Sequence, residues 1–172
     1  MSGDEGTRTL VVVRHAKAEA DGPTDAERRL AESGHVAASA VGTWLAEQGI
    51  VPDHALVSGA VRTLQTWDDI ADAAGWDLEP EVEETLYAAG PESALDLVRA
   101  VPADVRTLVV VGHNPTMGTL AQLLDDGEGD VEAGNRLALG YPTSATTVLS
   151  YDGDWDELAD ASASVVAFFV GA

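Results

Sequence analysis

The sequence predicts an α/β fold, a three-layer α/β/α sandwich around a mostly parallel central sheet, and three observations carry that prediction. Two continuous apolar runs, Thr9-Leu10-Val11-Val12-Val13 and Thr107-Leu108-Val109-Val110-Val111, have the length of strands and no polar alternation, as expected of parallel strands covered on both faces. Helical and extended segments alternate along the chain with short connections. No repeat or linker interrupts the 172 residues, so 1–172 reads as a single domain.

Each element has a local reason. Residues 1–7 read as a frayed tail, and the first strand covers 9–14. Asp21 to Arg29, with Gly22-Pro23, is a polar loop. Val36, Ala40, Val41, Trp44 and Leu45 share one face of a helix from Glu32 to Gln48, which Gly49 ends. A short strand, His54 to Ser58, leads through Gly59 into a helix from Val61 to Ala74; Val82 to Leu86 is weakly extended. A helix from Glu92 to Ala100 stops before Pro102, and the second buried strand spans 106–112. Asn114 and Pro115 form the start signal of a helix that runs to Leu124. The acidic, glycine-rich stretch 125–135 reads as a loop. Thr143 to Tyr151 is a β-branched strand turned by Asp152-Gly153, and Val165 to Val170 is a last edge strand.

Composition narrows the function classes. The chain has no cysteine, which removes disulfides, thiolate catalysis and Cys-based metal sites. Thirty acidic residues face nine basic ones, a formal net charge of −21, so nucleic acid and anionic lipid are not expected partners. The acidity fits either a salt-rich cytoplasm or a bias without function. No run approaches the ~20 apolar residues of a membrane helix. With no signal peptide visible either, the expected location is the cytoplasm.

The chemistry is expected past the carboxyl ends of the two buried strands, where open α/β sheets bind ligands. The first run ends in Arg14-His15-Ala16-Lys17 and the second in Gly112-His113-Asn114-Pro115. A neutral imidazole is a competent nucleophile towards phosphorus, and arginine supplies a permanently charged fork for phosphoryl oxygens. Arg62, Gln65 and Thr66 share a helix face by their spacing. His113 precedes a helix N-terminus whose amides and dipole favour an anion. Arg14, His15, Arg62 and His113 can therefore close around one phosphoryl group. Singly, a strand-end histidine or a helix-surface arginine is more often structural, as His35 and His54 read; the joint pattern carries the assignment. Metal binding by the histidine pair is not expected, because Arg14 and Lys17 oppose a cation and neither motif holds a carboxylate. No cofactor is expected.

Arg14-His15, Ser58-Gly59-Ala60-Val61-Arg62-Thr63, Glu84-Thr85-Leu86-Tyr87 and Gly112-His113-Asn114-Pro115 occur in the order found in the histidine phosphatase superfamily, with its phosphoglycerate mutase-like fold. The compact length and the Arg-His-Ala-Lys variant resemble most the small SixA-type phosphohistidine phosphatase branch. Leu30 to Gly34 and Tyr141 to Ser144 also resemble segments of that branch, and the resemblance covers 8–151. It implies that His15 is the nucleophile and that Arg14, Arg62 and a protonated His113 complete the phosphate pocket. Glu84 matches the usual proton donor, with Glu83 as its neighbouring alternative. Tyr87 and Arg28 match substrate-contacting positions, and Lys17 and Asn114, inside the strand-tip motifs, join them as substrate-binding residues. Ala16 stands where the family usually has glycine, a change the small branch tolerates.

These readings converge on a metal-independent phosphatase with a phosphohistidine intermediate, a phosphoric monoester hydrolase acting on phosphohistidine in a protein or on a small phosphoester. A phosphotransferase or mutase would share the pocket but usually has long insertions around it. A non-enzymatic phosphate-binding module would need neither His15 nor Glu84. Substrate selection is expected in 18–30, 84–92 and 125–142; oligomeric state is not indicated. The charge itself generates a prediction. An anionic substrate approaches a repulsive surface, so moderate added salt lowers KM for a phosphoester before high salt raises it; a KM that only rises from the lowest salt upward contradicts this.

Overall fold

The computed structural model describes residues 7–171. The expected tail at 1–6 lies outside the described residues, and Thr7 belongs to the first strand instead. The elements follow in the order β1 (Thr7–Arg14), α1 (Glu32–Glu47), β2 (His54–Ser58), α2 (Val61–Ala74), β3 (Glu81–Glu83), α3 (Pro91–Arg99), β4 (Thr107–Gly112), α4 (Thr116–Leu124), α5 (Val131–Leu139), β5 (Ala145–Asp152) and β6 (Ala163–Val170). One-turn 3-10 helices form at Asp25–Glu27, Glu84–Tyr87 and Trp155–Glu157. The sheet order is β3-β2-β4-β1-β5-β6. The first four strands are mutually parallel, while β5 and β6 run antiparallel at one edge.

The unbroken apolar runs are explained by the two layers that cover them. Val11, Val13, Ala55, Val57, Val109 and Val111 face one way, onto Val41 and Leu45 of α1 and Trp67 and Ile70 of α2. Leu10, Val12, Leu56, Leu108 and Val110 face the other, onto Leu95 and Val98 of α3, Leu120 and Leu124 of α4 and Leu137 of α5. Leu10 to Val13 are fully buried, and each such side chain contributes about 1.5–3 kcal/mol of apolar burial as an upper estimate. Among the described residues no helix is long and apolar enough to cross a membrane.

Two expectations are corrected. Part of the stretch read as a loop at 125–135 is helical: Asp130 caps α5 by accepting from the Ala133 amide at 2.9 Å, and Ala133 and Leu137 bury one face of it. This segment closes the outer edge of β6, with the Asp126 and Asp130 amides donating to Ala163 and Val165, which shields an otherwise open ladder. The extended segment at 82–86 is also shorter than expected, because only Glu81–Glu83 pairs with β2 before the chain tightens into a 3-10 turn.

The topology puts a crevice between β1 and β4. The chain leaving β1 passes to α1 on one face of the sheet, and the chain leaving β4 passes to α4 on the other. That divergence between adjacent parallel strands is a topological switch point. The entry to α1 sits tightly against the chain after β1. The Ala31 amide donates to the Lys17 carbonyl, and a Cβ on Gly34 would lie 2.1 Å from that same oxygen. Gly34→Ala is therefore expected to lower stability by about 1–3 kcal/mol, read as a reduced urea midpoint; an unchanged midpoint would show that this packing yields freely.

Candidate active site

Adjacent strand tips assemble the site. Arg14 is the register partner of Gly112, and the His15 amide donates to the Gly112 carbonyl at 3.0 Å. His15 and His113 are thereby held abreast, with ring centroids 5.5 Å apart. On the other side of β4, β2 ends at Ser58, whose Oγ lies 2.7 Å from His113 Nε2. Thr63 secures the turn from β2 into α2 by donating to the Ser58 and Ala60 carbonyls. The next residue back, Arg62, enters the site from the first turn of α2 and is only 7% exposed. Thr66 accepts from the Ala16 amide at 3.0 Å, and Gln65 accepts from the Leu30 amide at 2.8 Å. The shared face of Arg62, Gln65 and Thr66 thus ties α2 to the loop that follows β1.

The hydrogen bonds define the state of each imidazole. His15 Nδ1 is 2.7 Å from the Ala16 carbonyl. A carbonyl only accepts, so Nδ1 carries the proton and Nε2 keeps its lone pair. Burial, with Arg62, Arg14 and Arg28 nearby, pushes the His15 pKa down to about 4. His113 is likewise pushed down to about 4, by burial first and then by His15 and Arg62. Both rings are therefore neutral at neutral pH in the unliganded protein. The expected protonated His113 requires an incoming anion, whose charge favours the imidazolium.

The donors fall into an inner and an outer set. In the inner set, Arg14 donates through one terminal nitrogen to the Tyr141 carbonyl at 3.0 Å, while its Nε is buried without a partner among the described residues. Burial lowers the Arg14 pKa. In the outer set, Arg62 donates to the Asp25 carbonyl at 2.7 Å and to its carboxylate at 3.0 Å. Arg28 donates to the same carboxylate at 2.9 Å, and so does the Tyr87 hydroxyl. These bonds, from Tyr87, Arg28 and Arg62 in that order, hold the Asp25 carboxyl well below the usual range. Tyr87 also packs edge-on against His113, and the Arg62 guanidinium lies over the Tyr87 ring.

Other candidates are placed less centrally. Glu84 is exposed, and its carboxylate lies over the turn into α2: a Cβ on Gly59 would come within 2.0 Å of Glu84 Oε1. Glu83 instead faces Glu81 along the edge strand, and burial with that neighbour raises its pKa. Asn114 is engaged in the framework, donating to the Tyr141 carbonyl at 3.0 Å and accepting from the Gly118 amide at 3.1 Å. Lys17 is exposed and forms no ion pair among the described residues. At the start of α4, the Met117, Gly118 and Thr119 amides already donate to His113, Asn114 and Pro115. The expected anion-binding amides are thus occupied at these three positions, and side chains supply the donors. Among the described residues, the group of three donors close enough to share a cation is exposed Asp154, Asp156 and Glu157. It adjoins Arg8 at the far end of β1 and includes neither site histidine.

Asp25 and Ser58 are the site residues that the sequence reading did not assign. Asp25 stands three residues before Arg28, a spacing that brings the two together on a turn, but nothing local shows that the turn folds over α2.

Comparisons with known proteins match this architecture. Residues 10–88 match the family model of the histidine phosphatase superfamily (branch 1). An uncharacterised Mycobacterium tuberculosis protein is 36% identical over 160 residues, covering 92% of this chain and 99% of that one. The phosphohistidine phosphatase SixA of Escherichia coli is 27% identical over 121 residues, 69% of this chain and 75% of its own. Among solved structures, a candidate phosphohistidine phosphatase SixA from Nakamurella multipartitia superposes with a TM-score of 0.82 at 34% identity, covering 95% of this chain and 96% of that one.

The depressed histidines have a measurable consequence for stability. An unfolded imidazole takes up its proton near pH 6.5, whereas the folded ones do so only near 4. Their neutral burial is therefore fully tolerated above about pH 6.5, and stability falls as pH drops from there towards 4. His15→Gln removes one of the two groups. Its urea midpoint is expected to gain on that of the wild type between pH 7 and pH 4.5; a constant difference would show that His15 titrates normally.

Proposed function

The chain belongs to the histidine phosphatase superfamily, in its SixA-like branch, and on that premise we propose that it is a metal-independent phosphatase with a phosphohistidine intermediate, working as a single domain. The observation that carries this reading is the His15 ring: Nδ1 is committed to the Ala16 carbonyl, and Nε2 keeps its lone pair beside Arg14, Arg62 and His113.

His15 Nε2 attacks phosphorus in line, forming an N–P bond as the bond to the leaving group breaks. Arg14 Nε, buried without a partner, and Arg62 bind the non-bridging oxygens and stabilise the charge of the transferring group. His113 takes up a proton as the dianion arrives and adds a third cationic donor. Glu84 gives a proton to the leaving atom; its carboxylate then accepts one from water, whose oxygen attacks the phosphohistidine and releases orthophosphate. The substrate class is phosphohistidine on a protein or a small phosphoester, consistent with the names of the SixA relatives. Tyr87 and Arg28 line the entrance, while Asn114 acts by holding Tyr141 and α4 in place.

The test is turnover of a chromogenic aryl phosphate with excess chelator. Wild-type protein is expected to release orthophosphate, and His15→Ala to release none. Arg14→Gln or Arg62→Gln is expected to cost about 10²–10³ in rate, the scale for one preorganised donor. Equal activity in His15→Ala overturns the mechanism. Transfer of the phosphoryl group to an added alcohol in place of water identifies a phosphotransferase, and tight phosphate binding without turnover of any phosphorylated substrate identifies a binding module.

A further inference from the structure

The outer donors of the pocket are already bound to an anion that belongs to the chain. Asp25 lies on the exposed 3-10 turn Asp25–Glu27, in which no residue is buried. The neck of that loop is fixed: Ala18 bridges Leu30, the Glu19 amide donates to the Arg29 carbonyl at 2.7 Å, and the Leu30 amide donates to Gln65. Beyond the neck, the bonds from 20–27 to the body of the protein all run through Asp25, to Arg62 and Tyr87. The carboxylate therefore gathers donors from three separate elements: Arg28 of its own loop, Arg62 of α2 and Tyr87 of the second 3-10 turn. It stands near His113, whose charged form it favours. In a chain with 30 acidic residues and nine basic ones, many carboxylates could neutralise these arginines; among the described residues, the one that does so is carried on a turn held to the body by these same bonds.

We propose that Asp25 is a specificity-determining residue: its carboxylate is a tethered competitor for the outer half of the phosphoryl pocket, which a substrate must displace from Arg62 and Tyr87 or else satisfy. This rests on the phosphatase reading only for its catalytic consequence; the competition itself concerns binding. An oxyanion that enters beside His15 reaches the buried Arg14 Nε unopposed, but at Arg62 it competes with Asp25, whose carboxylate takes an N–H of one terminal nitrogen and whose backbone carbonyl takes an N–H of the other. A second anionic group next to the phosphoryl meets Asp25 as a like charge and is rejected. A leaving group with an N–H donor meets it as an acceptor and is favoured. Discrimination of this kind, by an unfavourable contact with the wrong ligand, needs no extra attraction for the right one.

The experiment is calorimetric titration of tungstate and of orthophosphate into wild-type protein, Asp25→Asn and Asp25→Ala, with urea midpoints to confirm folding. Removing the tethered charge is expected to tighten both oxyanions by about tenfold, the scale of a few charge-assisted, partly solvated bonds. In parallel, the preference for phenyl phosphate over carboxyphenyl phosphate in kcat/KM narrows in Asp25→Asn. Tighter binding without turnover in any variant leaves the competitor standing and removes the phosphatase reading. Unchanged or weaker oxyanion binding in both variants overturns the proposal even where turnover is intact, since Asp25 would then buttress Arg62. Absence of binding to all three proteins overturns it as well.

Discussion

The parallel pairing of β1 with β4 is the constraint on which the rest of the site depends. Their register runs from Thr9 opposite Thr107 to Arg14 opposite Gly112, so both strands end at the same level and each is followed at once by a histidine. Because the two chains then diverge to opposite faces of the sheet, neither loop covers the other. A one-residue slip would send every side chain of β1 to the wrong layer, burying Val11 where Leu10 packs and displacing His15 from His113. The core that fixes this register is aliphatic and closed on both faces. The geometry of the chemical groups is thus inherited from a pairing that apolar burial enforces.

Charge placement follows a similar economy of position. Of the nine cationic residues, Arg14, Arg28 and Arg62 converge on the pocket. Arg8 is buried at the opposite end of β1, where it donates to the Gly153 and Ala103 carbonyls and lies over Trp155. Bringing three guanidinium groups together is unfavourable unless anions or neutral partners surround them. Here the two buried imidazoles stay neutral, and Asp25 and the Tyr141 carbonyl accept the guanidinium hydrogens. The chain as a whole meanwhile is strongly acidic, with 30 carboxylates against nine cations.

What was legible in the sequence was the part set by burial and by adjacency along the chain. The runs ending in Arg14-His15 and Gly112-His113 revealed the buried strands and the histidines that their tips bring side by side, and the spacing of Arg62, Gln65 and Thr66 revealed the face of α2 that meets the loop after β1. What was not legible was set by contacts distant in sequence or by a cap hidden in a polar stretch. Asp130 reads like its acidic neighbours until Ala133 and Leu137 are seen to bury behind it, so α5 looked like loop. Ser58 acts on His113 only because β2 lies beside β4, 55 residues away in sequence. Asp25 reaches Arg62 across 37 positions, and no periodicity in the loop announces where its tip will rest.

The two histidines share an environment that pushes both to about the same pKa, so burial and nearby charge do not distinguish their roles. Their hydrogen-bond partners do. His15 is held by a carbonyl, which accepts only; its Nδ1 is a donor in every state, and any further proton would have to occupy Nε2. Low basicity therefore keeps the Nε2 lone pair free of a proton at neutral pH. His113 is held by the Ser58 hydroxyl, which can donate to a neutral Nε2 or accept from a protonated one. That partner tolerates both charge states without leaving an unsatisfied buried group. Of the two rings, His113 is the one whose hydrogen-bond partner adapts to a change of charge, by rotation about one bond. A carbonyl beside one ring and a hydroxyl beside the other thus distinguish two imidazoles that burial alone would leave alike.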